Sequence, residues 1–186
     1  MTEPLWTPSP ARIQAANITR FMWLLRMERD PWIWAYGDLH RVSIESPKAF
    51  WRGVWEFGGV IGTPGERTVE DFDRMPGARW FPDARLNFAE NLLRYRDARD
   101  ALVFRSETGH EERLTYGQLY RRVAGLASAM RAQGITAGDR VAGYLPNIPE
   151  TVIAMLAATS IGAIWSSCSP DFGTAAVMEL LSKLEP

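Results

Sequence analysis

The chain has 186 residues, which suits one domain or one domain with an extension. Hydrophobic residues make up 46% and charged residues 23%, so the composition is that of a globular protein and excludes an intrinsically disordered chain. The formal net charge of -1 gives no overall attraction to nucleic acid or to an anionic membrane, and we expect neither as a partner.

The sequence also predicts the compartment. Cys168 is the single cysteine, so no internal disulfide can form, as is usual in a reducing compartment. The N-terminus has no apolar run of the kind found in signal peptides. The most apolar stretch, 151–165, is shorter than the roughly 20 residues that a membrane span needs. We therefore expect a cytoplasmic protein without a membrane span.

The first part of the chain is aromatic and rich in proline and glycine. Apolar residues at helical spacing predict a helix over 9–27. Ser46 as N-cap and Pro47 at the first helical position predict a second helix that stops at Gly58. A short helix is predicted within 86–93. Because this part offers few regular strands to complete a core, we expect it to pack on the second part.

Glycines at 59, 62 and 65 resemble the spacing of a phosphate-binding loop. The segment lacks the G-K-[ST] ending that places a lysine on phosphates, and no clear strand precedes it. Turns are the better explanation for these glycines.

The second part is aliphatic and regular. Short strands are predicted at 101–104 and 112–114, with a turn at Thr108-Gly109 between them. Thr115 is the predicted cap of a long helix that ends at Gly134. The chain then predicts a strand at 140–145, a buried helix at 150–161, a strand at 163–166 and a last helix.

This strand–helix–strand–helix order is typical of an α/β fold with a parallel sheet and right-handed crossovers. Ligands of such sheets bind beyond the carboxyl ends of the strands. Two loops qualify as ligand-binding segments, 146–150 and 166–173.

Other chemistries find little support in the sequence. The serines at 166, 167 and 169 lack the G-x-S-x-G elbow of a serine hydrolase. The histidines, His40 and His110, are far apart in the sequence. Cys168 is better explained as a small buried thiol than as a nucleophile. No cluster of metal-ligating residues is present, so no metal site is predicted. Asp171 precedes a predicted helix, where the helix dipole favours an acid, and a substrate role stays open.

Several motifs resemble a known family. Trp80-Phe81-Pro82 and the segment 86–93 are similar to the N-terminal signature of acetyl-CoA-synthetase-like ligases. Gly138-Asp139-Arg140-Val141-Ala142 and Pro146-Asn147-Ile148-Pro149-Glu150 resemble the first elements of their AMP-binding domain. The segment 164–173 is narrower and resembles the acetoacetate–CoA ligase subfamily.

The resemblance implies an incomplete α/β architecture. A helical, tryptophan-rich segment at 1–95, like the N-terminal segment of acetyl-CoA synthetases, is followed at 96–186 by the start of a parallel-sheet AMP-binding, adenylate-forming domain. The chain is thus expected to be the N-terminal part of a longer ligase. Its unfinished sheet is expected to expose an edge through which the chain can self-associate.

The implied activity is that of an acid–thiol ligase in lipid and ketone-body metabolism, using ATP, Mg²⁺ and CoA to convert acetoacetate to acetoacetyl-CoA. The sequence contains no Ser/Thr/Gly-rich phosphate loop, and Lys48 and Lys183 are its lysines. No catalytic or cofactor-binding residue can therefore be assigned, and the isolated chain is expected to bind none of these cofactors well and to be inactive. Two alternatives stay open: a ligase for another short-chain acid, and a standalone non-catalytic chain that binds a partner.

Three residues are predicted to line the acyl or CoA side of the pocket of the complete enzyme: Trp165, Asp171 and Phe172. Since acetoacetate is an anion, Asp171 is not expected to contact its carboxylate. We expect Asp171 to accept hydrogen bonds from neighbouring backbone amides and so to fix the loop. Phe172 or Trp165 is the better candidate for contact with substrate carbons.

Overall fold

The computed structural model describes residues 5–185. The chain divides into two compact units, with residues up to Arg85 in the first unit and residues from Leu86 onward in the second. No helix among the described residues is long and apolar enough to cross a membrane.

The first unit is mainly helical. Its strand pairing involves short segments, such as the antiparallel pair of β2 (Val69–Glu70) and β3 (Arg79–Trp80). A further short strand, β4, covers Arg85–Leu86 at the junction of the units. The elements in chain order are α1 (Pro10–Ala15), α2 (Asn17–Glu28), α3 (Tyr36–Glu45), α4 (Pro47–Phe57), β1 (Gly62–Thr63), β2 (Val69–Glu70) and β3 (Arg79–Trp80).

The predicted helix over 9–27 is in fact two helices. Ser9 caps α1 by accepting a hydrogen bond from the Arg12 N–H at 3.3 Å, and Ala16 then adopts an extended backbone between α1 and α2. The Thr19 hydroxyl donates to the Ile13 carbonyl at 2.5 Å, which supplies a partner for the end of α1. This bond stabilises the break at Ala16. The sequence shows no sign of the break, because no proline or glycine lies near it.

Helix α3 was not predicted. Its start depends on Asp38, whose carboxylate accepts hydrogen bonds from the backbone N–H groups of Trp34 at 3.0 Å and Ala35 at 2.9 Å. These bonds favour the charged carboxylate and lower the pKa of Asp38. An acid three residues after the N-cap, here Ala35, is a capping signal that is visible in the sequence.

The core of the first unit is made by the facing sides of α2, α3 and α4. Its buried members are Phe21, Leu25, Ile33, Leu39 and Val42. Gly53 of α4 lies so close to α2 that an added Cβ would be 2.6 Å from Leu25 Cδ2. Helices α2 and α4 are therefore in close contact at Gly53.

The glycine-rich segment contains a turn at Gly59, the short strand β1 beginning at Gly62, and irregular backbone at Gly65. Gly59, Gly62 and Gly65 all have positive φ angles, a conformation that glycine adopts without strain. The turn prediction thus holds for Gly59 but not for Gly62, which lies in a strand.

The second unit contains the regular elements. Strands β5 (Asp100–Arg105) and β6 (Glu111–Thr115) form an antiparallel hairpin, and β7 (Arg140–Tyr144) and β8 (Ile164–Cys168) form a parallel pair. The elements are α5 (Phe88–Leu92), β5 (Asp100–Arg105), β6 (Glu111–Thr115), α6 (Tyr116–Ala132), β7 (Arg140–Tyr144), α7 (Pro149–Ser160), β8 (Ile164–Cys168) and α8 (Thr174–Leu184).

The sequence predicted each of these elements to within a few residues. The Thr115 hydroxyl oxygen caps α6 by accepting from the Gln118 N–H, and the Thr115 N–H donates to Gln118 Oε1. These two bonds form a capping box. Gly134 follows α6 with φ of 88°, as expected for a helix terminator. The second core lies between α5, α6, α7 and the hairpin; its buried residues are Ala89, Leu93, Leu114, Leu119, Val123, Ala127, Ile153, Leu156 and Ala157.

Asn87 connects α5 to α7 within the second unit. Its Oδ1 accepts from the Glu90 N–H at 3.0 Å and so caps α5, and its Nδ2 donates to the Thr159 carbonyl at 2.9 Å.

Loss of both bonds in Asn87→Ala should lower the free energy of unfolding by about 1–3 kcal/mol. Asn87→Ser keeps a capping oxygen and should lose about half as much. Urea unfolding of both variants measures this, and equal losses would show that the cap contributes nothing.

Candidate functional site

The candidate site is the edge of the β7–β8 pair at which both strands end. The parallel register pairs Tyr144 with Cys168, and the Leu145 N–H extends the ladder by donating to the Cys168 carbonyl at 3.2 Å. The loops that follow the two strands therefore leave the sheet at the same edge. They lie within the two segments predicted to bind ligands, 146–150 and 166–173, but the second loop begins only at Ser169 because β8 extends to Cys168, and the first ends where α7 begins at Pro149.

The segment 169–173, here called the Pro170 loop, is held by bonds of its own. The Ser169 hydroxyl donates to Asp171 Oδ2 at 2.7 Å and accepts from the Asp171 N–H at 3.3 Å. The Phe172 N–H donates to the Ser169 carbonyl at 3.1 Å. Asp171 is thus bonded within its loop, but the donor to its carboxylate is a hydroxyl where we expected backbone amides. Serine hydroxyls commonly bond across two residues in turns.

Tyr144 holds the same loop from β7. Its hydroxyl oxygen lies 3.0 Å from the Pro170 carbonyl oxygen and 3.1 Å from the Phe172 carbonyl oxygen. A phenol has one hydrogen to donate, so the two carbonyls share it or receive it in turn. From the sequence, Tyr144 was predicted to lie in a strand, without a functional role. The available signal was a tyrosine at the carboxyl end of a strand beside a candidate loop.

Trp165 lies apart from the Pro170 loop. Side chains alternate along a strand, so the register places Trp165 on the face of Val141 and Gly143, and Tyr144 on the opposite face with Cys168. The indole covers Gly143, where an added Cβ would be 2.6 Å from Trp165 Cη2. The structure therefore brings Asp171 and Phe172 into one loop and places Trp165 on the other face of the strand pair.

Exposure separates the candidates further. Phe172 is 47% exposed, Asp171 is exposed and Trp165 is half-buried. A large exposed aromatic side chain on a tethered loop is able to contact a ligand, whereas the Trp165 indole is already occupied in packing on Gly143.

The loop after β7 borders a cleft of about 130 Å³, whose lining comes from β5, the loop and the start of α7. The Thr151 hydroxyl donates to the Pro146 carbonyl at 2.6 Å, and the Ile148 N–H donates to the same carbonyl at 2.9 Å. The lining residues are Leu102, Val103, Phe104, Asn147, Ile148, Pro149 and Val152.

Charged groups near β7 are bonded locally. Asp139, just before the strand, accepts from the Thr136 N–H at 2.7 Å and from the Thr136 hydroxyl at 3.1 Å. These bonds favour the carboxylate and lower the pKa of Asp139. Asp139 therefore fixes the turn into β7 and stays ionised at neutral pH.

Cys168 is buried at the end of β8, as the sequence predicted for a small structural thiol. Its Sγ lies 4.0 Å from the Gly143 carbonyl oxygen. It borders a pocket of about 210 Å³ between β8 and α8, whose lining includes Leu181 and Leu184.

Among residues 5–185, no group of three His, Cys, Asp or Glu side chains is placed to hold a metal ion.

Comparison with known families identifies the class of protein. The profile of the AMP-binding enzyme family matches residues 88–186, and the profile of the acetyl-coenzyme A synthetase N-terminus matches residues 36–92. The chain therefore belongs to the AMP-binding enzyme family, which confirms the resemblance seen in its motifs.

Among individual proteins, the chain is similar to synthetases that form acyl-CoA thioesters. The chain is 48% identical over 185 residues to the acetoacetyl-coenzyme A synthetase of Rhizobium meliloti (strain 1021), covering 98% of this chain and 28% of the relative. It is 38% identical over 159 residues to a malonamoyl-CoA synthetase of Penicillium aethiopicum, covering 81% of this chain and 22% of the relative.

A solved structure matches the whole chain. The acetoacetyl-CoA synthetase of Streptomyces lividans superposes with a TM-score of 0.88 at 41% identity, and the match covers 100% of this chain and 29% of that one. The chain thus spans less than a third of the length of the relatives that it matches.

Proposed function

We propose that this chain supplies the N-terminal part of an acetoacetate–CoA ligase. The observation that carries the proposal is the similarity over the whole chain to acetoacetyl-CoA synthetases, at 48% identity in sequence and at a TM-score of 0.88 in structure. The work of such an enzyme is acid activation followed by thioester formation. We place the complete enzyme in the cytoplasm.

In the proposed reaction, a carboxylate oxygen of acetoacetate attacks the α-phosphorus of ATP and the bond to pyrophosphate breaks. The thiol of CoA then attacks the carbonyl carbon of the acyl-adenylate, loses its proton and displaces AMP. The complete enzyme would use Mg²⁺ with ATP. Residues 5–185 contain no group of side chains that fits a metal ion, so we derive no step through Mg²⁺ from this part of the chain.

Within this function, we assign the Pro170 loop to the acyl or CoA side of the pocket. Phe172 is the proposed contact for the carbons of the acid because it is 47% exposed on a tethered loop. Asp171 has a supporting role, since its carboxylate is bonded to the Ser169 hydroxyl and would repel an anionic acid. Trp165 is proposed to shape the pocket wall from the Gly143 face.

We further propose that β7 and β8 begin a larger parallel sheet. In the described part of the chain β8 pairs only with β7, and Ile164 of β8 is 53% exposed. An unpaired strand edge accepts another strand, from further polypeptide or from a second copy of the chain. The sheet would then continue beyond β8.

A ligase for another short acid is the second candidate. It is favoured by the similarity to a malonamoyl-CoA synthetase, because malonamate differs from acetoacetate by an amide nitrogen in place of a methyl group. The two acids have nearly the same shape and charge. A pocket that uses Phe172 against the terminal methyl group would prefer acetoacetate, since it leaves an amide without a hydrogen-bond partner.

A chimera tests the proposal. This chain would replace the matching N-terminal 28% of the Rhizobium meliloti synthetase, and acid-dependent ATP–pyrophosphate exchange would be measured. Acetoacetate should support exchange at least about tenfold above either piece alone, a barrier difference of about 1.4 kcal/mol. Acetate and malonamate are the comparison acids. A folded chimera that binds ATP but shows no exchange would contradict the function, and faster exchange with malonamate would favour the second candidate.

A further inference from the structure

Tyr144 is the last residue of β7, and its ring contributes little to either core. It is 49% exposed, so burial of apolar surface does not account for a tyrosine at this position. Its hydroxyl instead bonds to backbone carbonyls that lie 26 and 28 residues further along the chain.

The two contacted carbonyls lie on either side of Asp171. Because both carbonyls lie within hydrogen-bond distance of the Tyr144 hydroxyl, the backbone around Asp171 and Phe172 is restrained relative to the strand pair, and so is the point from which the Phe172 side chain leaves it. The Ser169–Asp171 bond lies entirely inside the loop and fixes its shape. The Tyr144 hydroxyl instead fixes where the loop lies.

The start of α8 makes this anchor more important. Its N-cap is Gly173, which has no side chain to bond the first turn of the helix. The entry into α8 thus lacks the usual side-chain cap, and the hydrogen bond from Tyr144 to the preceding carbonyl restrains it from outside.

We infer that Tyr144 is a positioning residue. By holding the Pro170 loop, it sets the position of Phe172, the proposed contact for the acid. This inference rests on the proposed function for its substrate, but its geometric part concerns this chain alone. Tyr144 does not touch the substrate; its hydroxyl determines where Phe172 is presented.

The test is Tyr144→Phe, which removes the hydroxyl and keeps the ring. Tyr120→Phe is the matched control: Tyr120 belongs to the same unit, and its ring packs on the second core and under Arg96. No hydrogen bond of its hydroxyl is found in the described structure. In the full chain, hydrogen exchange of the amides of 169 and 171–173 should accelerate about three- to tenfold in Tyr144→Phe, as loss of one hydrogen bond predicts, and should not change in Tyr120→Phe.

The functional arm uses the chimera. Tyr144→Phe should raise KM for acetoacetate about three- to tenfold, with KM for ATP within about twofold of the parent, because the affected wall faces the acid. Equal increases in both constants would indicate general destabilisation and overturn the inference. Unchanged loop exchange in the full chain would overturn it as well, whether or not the chimera is active. An inactive parent chimera would count against the proposed function alone.

Discussion

Gly143→Ala should lower the free energy of unfolding of the second unit by about 1–3 kcal/mol, the usual penalty for overpacking a filled position. The added Cβ would lie 2.6 Å from Trp165 Cη2 and 2.8 Å from Cζ2, with Leu145 Cδ1 at 3.3 Å. Because the indole is a rigid ring and half-buried, it must move as a body to make room. Chemical unfolding followed by circular dichroism measures the loss.

Gly125→Ala is the matched control for this prediction. Gly125 lies within α6 and has no atom within 4 Å of an added Cβ, so alanine there should stabilise by about 0.5–1 kcal/mol through its better helix propensity. The same substitution should thus lower the free energy of unfolding at Gly143 and raise it at Gly125. If both variants were stabilised, the contact between Trp165 and Gly143 would carry no energetic weight.

The Trp165→Leu background separates the contact from the strand itself. Leucine lacks the outer ring atoms that an alanine at 143 would meet, so most of the penalty of Gly143→Ala should disappear in that background. The coupling between the two positions should be about 1–2 kcal/mol, as is usual for residues in contact. A penalty that persists in the Trp165→Leu background would show that Gly143 is required by the backbone and not by the indole.

Leu156→Ala should destabilise by about 2–5 kcal/mol, the largest effect that we expect from a single truncation. Leu156 is 2% exposed and belongs to the second core, with Val123 and Ile153. Leu25, at 1% exposure in the first core, is its counterpart, and Leu25→Ala should have a similar effect. Hydrogen exchange resolved by segment shows where each effect falls.

We expect each truncation to accelerate exchange in its own unit, because each core is built from its own helices. In Leu156→Ala the faster amides should lie in α6 and α7, and in Leu25→Ala they should lie in α2 and α4. Equal acceleration in both units would favour the alternative drawn from the sequence, in which the tryptophan-rich part packs on the second part as one cooperative structure. The paired variants therefore decide how the chain is organised.

The site could be predicted from the sequence only in outline. The rule that ligands bind at the carboxyl ends of parallel strands selected the loop with Asp171 and Phe172, and the structure does place this loop at that edge. It also selected Trp165, but the pleat puts that side chain on the other face from Tyr144. Tyr144 itself was missed because its partners, the Pro170 and Phe172 carbonyls, are backbone atoms that carry no residue signature.

The sequence by itself determined the elements of the second unit, because their signals are local. The Thr115–Gln118 capping box, Pro149 at the start of α7 and Gly134 after α6 each act within about one helical turn. Tertiary structure alone decided the pairing of Val69 with Trp80 and the hydrogen bonds from Tyr144 to the Pro170 loop. Such contacts join residues that are distant along the chain, and their geometry exists only after packing has brought the segments together.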